Sequence, residues 1–338
     1  MVYQNLEFHN VEALEDRLGG KVLQRFTQPV RYGLGYQDHD RGRFYSQMPV
    51  GCEIRFVTDA HFFRISLMAY EKDTRIFVFR GDFLMQVLAL PAGVVRTFHI
   101  EEPPRFADVE PEVLSGHRFS SDIWRIVMDK EAAVIWYEAD FVGHEVRPPH
   151  SGEVPARKWL AYGSSITFGG DAHLALNAYA MRTARLLGLD LYNKAIAGAC
   201  FCDDTVADYL AELAPQMDLV TLELGINMIH RFTEEIFKER TYRLIGKIRR
   251  AAPDTKVAVI TPFMAGEGYR KDRTAQTYNR YHHFTQILKE YPDPEVTIVD
   301  GRTILDDFAG LSADLVHPSD EGHMIMAIHL AEVLRGLL

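Results

Sequence analysis

Near the middle of the chain lies the stretch Trp159-Leu160-Ala161-Tyr162-Gly163-Ser164-Ser165-Ile166-Thr167-Phe168-Gly169. An apolar run that ends in Gly-Ser-Ser is typical of a buried strand that turns sharply into a helix. Such a turn can present a serine hydroxyl at the edge of a sheet. Seen alone, however, Gly-Ser-Ser after a strand is more often an ordinary turn or helix cap, so the rest of the chain must decide.

Three later pieces complement that serine turn: Gly198, Gly225-Ile226-Asn227 and Asp314-Leu315-Val316-His317-Pro318. A hydroxyl, an imidazole and a carboxylate are the parts of an acyl-transfer site, and a glycine and an asparagine can supply donors to an oxyanion. A separation of three residues allows a turn to bring the Asp314 carboxylate back to the ring of His317. Together the pieces predict a nucleophilic serine with His317 as its base and Asp314 as the group that orients the imidazole.

The second half of the chain alternates between strand and helix patterns. Strands are predicted at 158–162, 191–196, 219–224, 256–261 and 296–299, and helices at 174–188, 203–213, 232–251, 273–291 and from Ser319 onward. This rhythm predicts a parallel sheet covered by helices on both faces. The serine turn, Gly198 and Gly225 each follow a predicted strand. Because ligands bind outside the carboxyl ends of such strands, we expect these pieces to converge on one edge of the sheet.

The first half predicts strand after strand, with turn signals between them. Short alternating runs occupy 52–58, 63–67, 75–79, 83–88 and 94–100, and a hairpin is predicted for 124–128 with 133–139. Only Val11–Leu18 has a helical pattern. This predicts a β-sandwich or jelly roll. The Pro- and Gly-punctuated stretch 147–155 is the best boundary, so we expect a β-sandwich domain over 1–148 and an α/β domain over 156–338.

The motif order resembles the SGNH hydrolases, a branch of the GDSL esterases with a Ser, a Gly, an Asn and a His in four sequence blocks. Gly163-Ser164-Ser165-Ile166-Thr167 is similar to the first block, and Asn193-Lys194-Ala195-Ile196-Ala197-Gly198 to the second. Gly225-Ile226-Asn227 matches the third block, and Asp314 with His317 the last. The chain departs from the family at Ser164, where an Asp is usual. The resemblance covers residues 156–338 and implies a flavodoxin-like, three-layer α/β/α fold for them.

The resemblance also implies roles for individual residues. Ser165 would be the nucleophile, and the oxyanion hole would comprise the backbone N–H groups of Ser165 and Gly198 with the Asn227 side-chain amide. Ser164 remains the alternative nucleophile. Phe168 is a candidate wall of the substrate pocket, unless it packs under the loop. His323 is a further candidate for that pocket, although a His there is more often a partly buried helix residue.

Composition limits the partners. The chain has 338 residues with 47% hydrophobic and 25% charged content, which is ordinary for a globular protein. Its formal net charge of -10 argues against nucleic acid or an anionic membrane as the main partner. The cysteines, Cys52, Cys200 and Cys202, lack a second cluster at zinc-ligand spacing, so neither metal nor cofactor is expected. Sparse cysteines and no visible signal peptide predict a cytoplasmic protein, with the oligomeric state left open.

A β-sandwich followed by an SGNH domain resembles carbohydrate esterase family two, whose members deacetylate sugars. This resemblance implies a serine esterase whose substrate is a small-molecule ester or an acetylated oligosaccharide. The same arrangement resembles certain GDSL acyltransferases, so transfer to a small-molecule acceptor is the first alternative. A carbohydrate-binding protein with an inactive SGNH scaffold is the second. The sequence leaves open the acyl chain, the alcohol and whether the N-terminal domain binds sugar.

Overall fold

A computed structural model describes residues 1–36 and 39–338 and divides them into two compact units. Unit 1 comprises Met1–Thr27, Ser46–Ala156 and Gly188–Asp190, and unit 2 comprises Gln28–Tyr45, Arg157–Leu187 and Leu191–Leu338. The division therefore differs from a single boundary near residue 150. Two helices that the sequence analysis did not foresee, α1 (Gln28–Gly33) and α2 (His39–Ser46), account for the early segment of unit 2.

Unit 1 is built from two antiparallel sheets. Its strands are β1 (Val2–Tyr3), β2 (Leu6–His9), β3 (Ala13–Arg17), β4 (Gly20–Gln24), β5 (Glu53–Thr58), β6 (Phe62–Ala69), β7 (Thr74–Arg80), β8 (Phe83–Leu90), β9 (Arg96–Glu101), β10 (Ile123–Met128), β11 (Val134–Asp140) and β12 (Val146–Arg147). One sheet has the order β1-β2-β5-β10-β7-β8 with β12 beside β5, and the other has the order β3-β4-β11-β6-β9. A short helix, α3 (Pro111–Leu114), lies between β9 and β10 in sequence.

The alternation of the strands explains how the two sheets pack. Ile54 and Phe56 of the first sheet and Ile65 and Leu67 of the second sit in one buried cluster. Since successive side chains of a strand point to opposite faces, residues two apart on each strand meet in a shared core. The predicted β-sandwich is confirmed.

Two local predictions for this unit are wrong. Val11–Leu18 is not helical, because Ala13–Arg17 pairs as β3 with β4 through a tight turn at Leu18 and Gly19, both with positive φ. The predicted hairpin of 124–128 with 133–139 does not form either. β10 pairs with β5 and β7, whereas β11 pairs with β4 and β6 in the other sheet. The connection between them passes from one sheet to the other, which short-range patterns cannot reveal.

Unit 1 also buries a charged cluster. Glu53 on β5 is 4% exposed and accepts hydrogen bonds from Arg125 at 2.6 and 2.7 Å and from Arg55 at 2.8 Å. Burial alone would raise the pKa of Glu53, but the two guanidinium groups outweigh it and hold that pKa well below its usual range. The cluster is fully paired, as a buried charge requires.

Unit 2 contains the parallel sheet that the sequence predicts. Its strands are β13 (Arg157–Tyr162), β14 (Leu189–Asn193), β15 (Leu219–Glu223), β16 (Lys256–Ile260) and β17 (Val296–Val299), in the order β14-β13-β15-β16-β17. The helices are α4 (Ser165–Phe168), α5 (Tyr179–Leu187), α6 (Asp204–Leu213), α7 (Glu234–Ala251), α8 (Gln276–Lys289), α9 (Gly301–Ile304) and α10 (Asp320–Arg335). The predicted fold class, a parallel α/β domain preceded by an all-β domain, is confirmed.

This strand order decides where the motif pieces lie. The chain leaves β13 to one side, into β14, and later returns to the other side, into β15. The crevice at such a reversal is the usual ligand site of an open parallel sheet. Gly163, Gly198 and Gly225 follow β13, β14 and β15, and His317 precedes α10. Among the described residues, no helix is both long enough and apolar enough to cross a membrane.

Candidate active site

The serine turn places Ser165, and not Ser164, at the surface of unit 2. Ser164 is 1% exposed and caps α4, its hydroxyl accepting a hydrogen bond from the Ile166 N–H at 3.1 Å. Ser165 is the first residue of the helix and is half-buried. Because Ser164 is the N-cap of α4, its hydroxyl is engaged by the Ile166 N–H. The hydroxyl of Ser165 is left available.

A chain of two hydrogen bonds links Ser165 to the distant Asp-x-x-His segment. Ser165 Oγ lies 2.6 Å from His317 Nε2, and His317 Nδ1 lies 2.5 Å from Asp314 Oδ2. The second carboxylate oxygen of Asp314 accepts the backbone N–H groups of Val316 and His317, both at 2.9 Å. The turn between Asp314 and His317 thus holds the carboxylate against the ring nitrogen that faces away from the serine.

The charge state of Asp314 follows from these contacts. Partial burial raises the pKa of Asp314, but hydrogen bonds from the His317 backbone and ring and from the Val316 N–H outweigh it and lower the pKa to about 2. Asp314 is therefore a carboxylate at neutral pH. A carboxylate there fixes the proton of neutral His317 on Nδ1, which leaves Nε2 able to accept the serine proton.

Two further groups flank the serine turn with the properties of oxyanion donors. Gly198 has φ of +66°, a left-handed conformation that favours glycine. The Asn227 Oδ1 accepts the Cys200 N–H at 3.1 Å, so the amide nitrogen is the part of Asn227 left to donate to a substrate. Gly198 and Asn227 are half-buried, as are Ser165 and His317.

A buried polar network supports the serine turn from beneath. Glu223, at the end of β15, accepts the Ser164 N–H at 2.6 Å and the Thr167 hydroxyl at 3.1 Å. The Thr167 hydroxyl is also 2.7 Å from that of Tyr179. A Cβ on Gly163 would lie 2.2 Å from Thr167 Oγ1 and 2.6 Å from Glu223 Oε2, so only glycine fits there. Sequence reasoning missed Glu223, although a glutamate inside an apolar strand is a recognisable signal.

The two residues predicted for the substrate pocket are buried. His323 is 0% exposed; its Nδ1 accepts the Tyr179 N–H at 3.2 Å, and its Nε2 lies 3.0 Å from the Gly170 carbonyl oxygen. Phe168 is 4% exposed and packs edge-on against Tyr45, with ring centroids 5.8 Å apart. His323 is thus a support for the turn at Gly170 and not a pocket wall, because both of its ring nitrogens are engaged within the protein.

Helix α2 brings two residues to the site that the sequence analysis did not consider. Arg41 lies so close to Gly198 that a Cβ there would be 2.4 Å from its Nε, and Tyr45 contacts Phe168. Residues four apart share a helix face, so one face of α2 meets the serine turn and the Gly198 loop. No sequence signal pointed to α2, since it lies far from the four motif blocks in a region that otherwise predicted strands.

One grouping in the described part of the chain could in principle hold a cation. Ligand atoms of Asp171, Asp314 and His317 lie within 4.8 Å of one another. Both ring nitrogens of His317 already have partners, Nδ1 in Asp314 Oδ2 and Nε2 in Ser165 Oγ. A cation bound by His317 would therefore compete with one of these hydrogen bonds.

Sequence comparison relates the second half of the chain to a known family. Residues 161–325 match the GDSL-like lipase/acylhydrolase family. An acetylxylan esterase of Geobacillus stearothermophilus is 27% identical over 161 residues, a match that covers 42% of this chain and 70% of that protein. The residues that match the family, 161–325, contain Ser165, Gly198, Asn227 and His317.

Solved structures share the fold over nearly the whole chain. The salicylyl-acyltransferase SsfX3 from a tetracycline biosynthetic pathway superposes with a TM-score of 0.78 at 17% identity, covering 99% of this chain and 96% of that one. A family two carbohydrate esterase from Cellvibrio japonicus superposes with a TM-score of 0.66 at 12% identity, again covering 99% and 96%. At these identities the superpositions show the two-domain fold alone. Together with the family match they confirm the predicted resemblance.

Proposed function

We propose that the chain is a serine esterase acting through an acyl-enzyme on Ser165, and the match of residues 161–325 to the GDSL-like lipase/acylhydrolase family supports this proposal. Its substrates would be short-chain acyl esters, chiefly acetyl esters, of carbohydrates or small metabolites. The observation that carries the proposal is the hydrogen-bond chain from Ser165 through His317 to Asp314, with distances of 2.6 and 2.5 Å.

In the proposed mechanism, Ser165 Oγ attacks the ester carbonyl while His317 Nε2 takes the hydroxyl proton. The imidazolium that forms is stabilised by the Asp314 carboxylate. The tetrahedral oxyanion would accept hydrogen bonds from the backbone N–H groups of Ser165 and Gly198 and from the Asn227 amide. His317 then gives its proton to the leaving alcohol. A water molecule deprotonated by His317 resolves the acyl-enzyme into free acid and Ser165.

The test compares wild type, Ser165→Ala and Ser164→Ala on 4-nitrophenyl acetate and a peracetylated xylo-oligosaccharide. We expect Ser165→Ala to lose at least about 10³-fold in kcat on both esters, since the nucleophile is gone. The neighbouring Ser164→Ala should weaken the cap but keep the chemistry. A strong preference of wild type for the sugar would support a carbohydrate deacetylase. Activity that survives in Ser165→Ala and disappears in Ser164→Ala would overturn the assignment.

Acyl transfer to a small-molecule acceptor is the second candidate. The same two-domain fold occurs in a protein named as an acyltransferase and in proteins named as esterases, so the fold is compatible with both reactions. The acyl-enzyme would be identical, and only the acceptor that resolves it would differ. Adding increasing concentrations of an alcohol to the ester assay separates them, because a transferase yields the new ester in preference to the acid.

A carbohydrate-binding protein with an inert scaffold is the remaining alternative. Unit 1 has a cavity of about 670 Å³ whose lining includes Phe62, Phe106, Arg80 and Glu102, a mixture of apolar and charged groups. Labelling with a fluorophosphonate probe tests whether the chain is a binding protein or an active hydrolase. Covalent labelling that requires Ser165 indicates an active hydrolase, and absence of labelling would favour the binding protein.

A further inference from the structure

Arg41 is a cation beside the candidate oxyanion hole that neither the motifs nor the proposed mechanism uses. An ideal Cβ on Gly198 would lie 2.4 Å from Arg41 Nε, 2.8 Å from Cζ and 3.1 Å from Cδ. The guanidinium group therefore lies directly against the Gly198 backbone. A glycine at 198 serves two needs, because it adopts the φ of +66° and leaves room for this side chain.

Contacts on both sides of residues 37 and 38, which lie outside the described residues, anchor the segment around Arg41. Before them, the Gly35 N–H donates to Asp203 at 2.9 Å, and Tyr36 packs on Phe232 with ring centroids 5.2 Å apart. Asp203 is in turn held by Arg240 at 2.6 Å. After them, Tyr45 packs against Phe168 at the far end of the same helix face. Arg41 thus lies between two contacts that tie the segment to unit 2.

The charge of Arg41 is not neutralised within the described chain. No described carboxylate lies within ion-pair distance of its guanidinium, and the side chain is exposed. Two carboxylates of the candidate site are otherwise occupied: Asp314 holds His317, and Glu223 is buried beneath the serine turn with its pKa raised to about 7 by burial. An exposed guanidinium is the group that best recognises a carboxylate, since its N–H donors match two oxygens at once.

We propose that Arg41 is a specificity-determining residue that selects esters carrying a carboxylate, or a similar anionic group, close to the scissile carbonyl. The proposal rests on the esterase function assigned to Ser165 and narrows its substrate class. The carboxylate can belong to the acyl part or to the alcohol part of the ester. In the carbohydrate case it would be that of an acidic sugar. Loss of one hydrogen-bonded charge partner of this kind typically reduces affinity about 10–100-fold.

The experiment measures kcat/KM by pH-stat titration on two matched pairs of esters. Monomethyl succinate against methyl 4-oxopentanoate tests a carboxylate on the acyl side. 2-Acetoxypropanoate against 2-acetoxypropanamide tests a carboxylate on the alcohol side. We expect wild type to prefer the anion in one pair by about tenfold or more, and Arg41→Met to abolish that preference with little change on the neutral partner. Arg41→Lys should keep part of it.

Arg43→Met is the matched control, since Arg43 lies on the same helix but stacks on Tyr32, with its Cζ 4.7 Å from the ring centroid. It removes the same charge from α2 and should leave the preference intact. The proposal is overturned if wild type shows no preference for an anion in either pair. It is equally overturned if Arg41→Met slows the anionic and neutral esters alike, which would make Arg41 a general support of the oxyanion hole.

A separate binding measurement distinguishes failure of this inference from failure of the esterase assignment. If wild type hydrolyses neither these four esters nor 4-nitrophenyl acetate and the peracetylated xylo-oligosaccharide, the esterase proposal has failed. Calorimetric titration of wild type with the two anionic esters then decides the role of Arg41. Binding that is lost in Arg41→Met and kept in Arg43→Met supports an anion site, and binding that is equal in all three proteins refutes it.

Discussion

Glu223 is a carboxyl group in a buried environment that disfavours its charged form. Its Oε2 accepts two hydrogen bonds, whereas its Oε1 is buried with no hydrogen-bond partner among the residues that the structure describes. Burial raises the pKa of Glu223 to about 7 despite hydrogen bonds from Ser164 and Thr167. The raised pKa means that the folded protein holds this proton more tightly than the unfolded chain does.

Replacing Glu223 with Gln should remove a pH-dependent loss of stability. The unfolded carboxyl group titrates near 4.5 and the folded one near 7, so the stability that the proton provides is complete below pH 4.5 and is lost as pH rises to 7. The difference corresponds to about 3 kcal/mol. We expect Glu223→Gln and wild type to be equally stable near pH 4.5 and the variant to be more stable by up to this amount at pH 8. Urea unfolding at each pH, followed by amide hydrogen exchange in unit 2, gives the free energies.

The exposed Glu332→Gln of α10 is the control for this comparison, because it removes a carboxylate from the same unit without touching the network. It should not change the slope of stability against pH. A Glu223→Gln variant that differs from wild type by a constant amount from pH 4.5 to pH 8 would contradict the raised pKa.

The sequence predicts the residues of the candidate site that lie in recognisable motifs. Ser165, Gly198, Asn227 and His317 follow or precede regular elements, so the topology of the sheet brings them together. Arg41 could not be found in this way, because its place beside Gly198 depends on a segment that folds with residues far along the chain. Its prediction would have required the tertiary contacts of α2.

For helices and strands, the periodicity of apolar residues predicts an element correctly where the same packing environment extends along its whole length. The parallel strands of unit 2 have mainly apolar cores, and each lies within a few residues of its predicted range. The sequence predicts a helix for Val11–Leu18 because Leu14 and Leu18 are four residues apart. The turn at Leu18 and Gly19 instead joins β3 and β4 in a hairpin. The hairpin predicted for β10 and β11 is wrong because the turn between two strands does not determine whether they pair with each other or join different sheets.

The connection from β13 to α4 requires a glycine at position 163, and this requirement can be tested. In Gly163→Ala the new Cβ would overlap Thr167 Oγ1 and Glu223 Oε2, both buried, so neither can move aside freely. We expect destabilisation of about 1–3 kcal/mol from overpacking. The displaced turn should also lower kcat on 4-nitrophenyl acetate. Chemical denaturation and initial rates measure the two effects.

Gly336→Ala is a suitable control for that variant, because its Cβ would meet nothing closer than 3.5 Å and its φ is negative. It should be nearly neutral in both assays. If Gly163→Ala is also neutral, the Thr167–Glu223 network is not rigid, and its support of the serine turn would have to be abandoned.

For the whole molecule, the presence of two compact units means that a single free energy of unfolding is not guaranteed. A perturbation must be measured with a probe in the unit that it affects. Trp124 and Trp136 are buried in unit 1, and Trp159 is buried in unit 2, whereas the ester assay reports on unit 2. Tryptophan fluorescence is therefore weighted toward the unfolding of the β-sandwich.

The buried cluster around Glu53 provides the test. Glu53→Gln leaves Arg125 and Arg55 without their shared carboxylate in a site where Glu53 is 4% exposed. Arg55 keeps the Asp190 carboxylate at 2.7 and 3.1 Å, and Arg125 stays 3.6 Å from Asp82, so both charges remain partly compensated. Removing one partner of a buried pair typically costs about 3–5 kcal/mol, and the remaining carboxylates place the expected cost at the lower end of that range. We expect the free energy of unfolding obtained from the fluorescence transition in urea to fall by this amount. Glu101→Gln, on an exposed strand position of the same unit, should change stability by less than about 1 kcal/mol. An equal, small effect of both variants would show that the arginines find other partners or water when Glu53 is neutral, and that the cluster contributes little to the stability of unit 1.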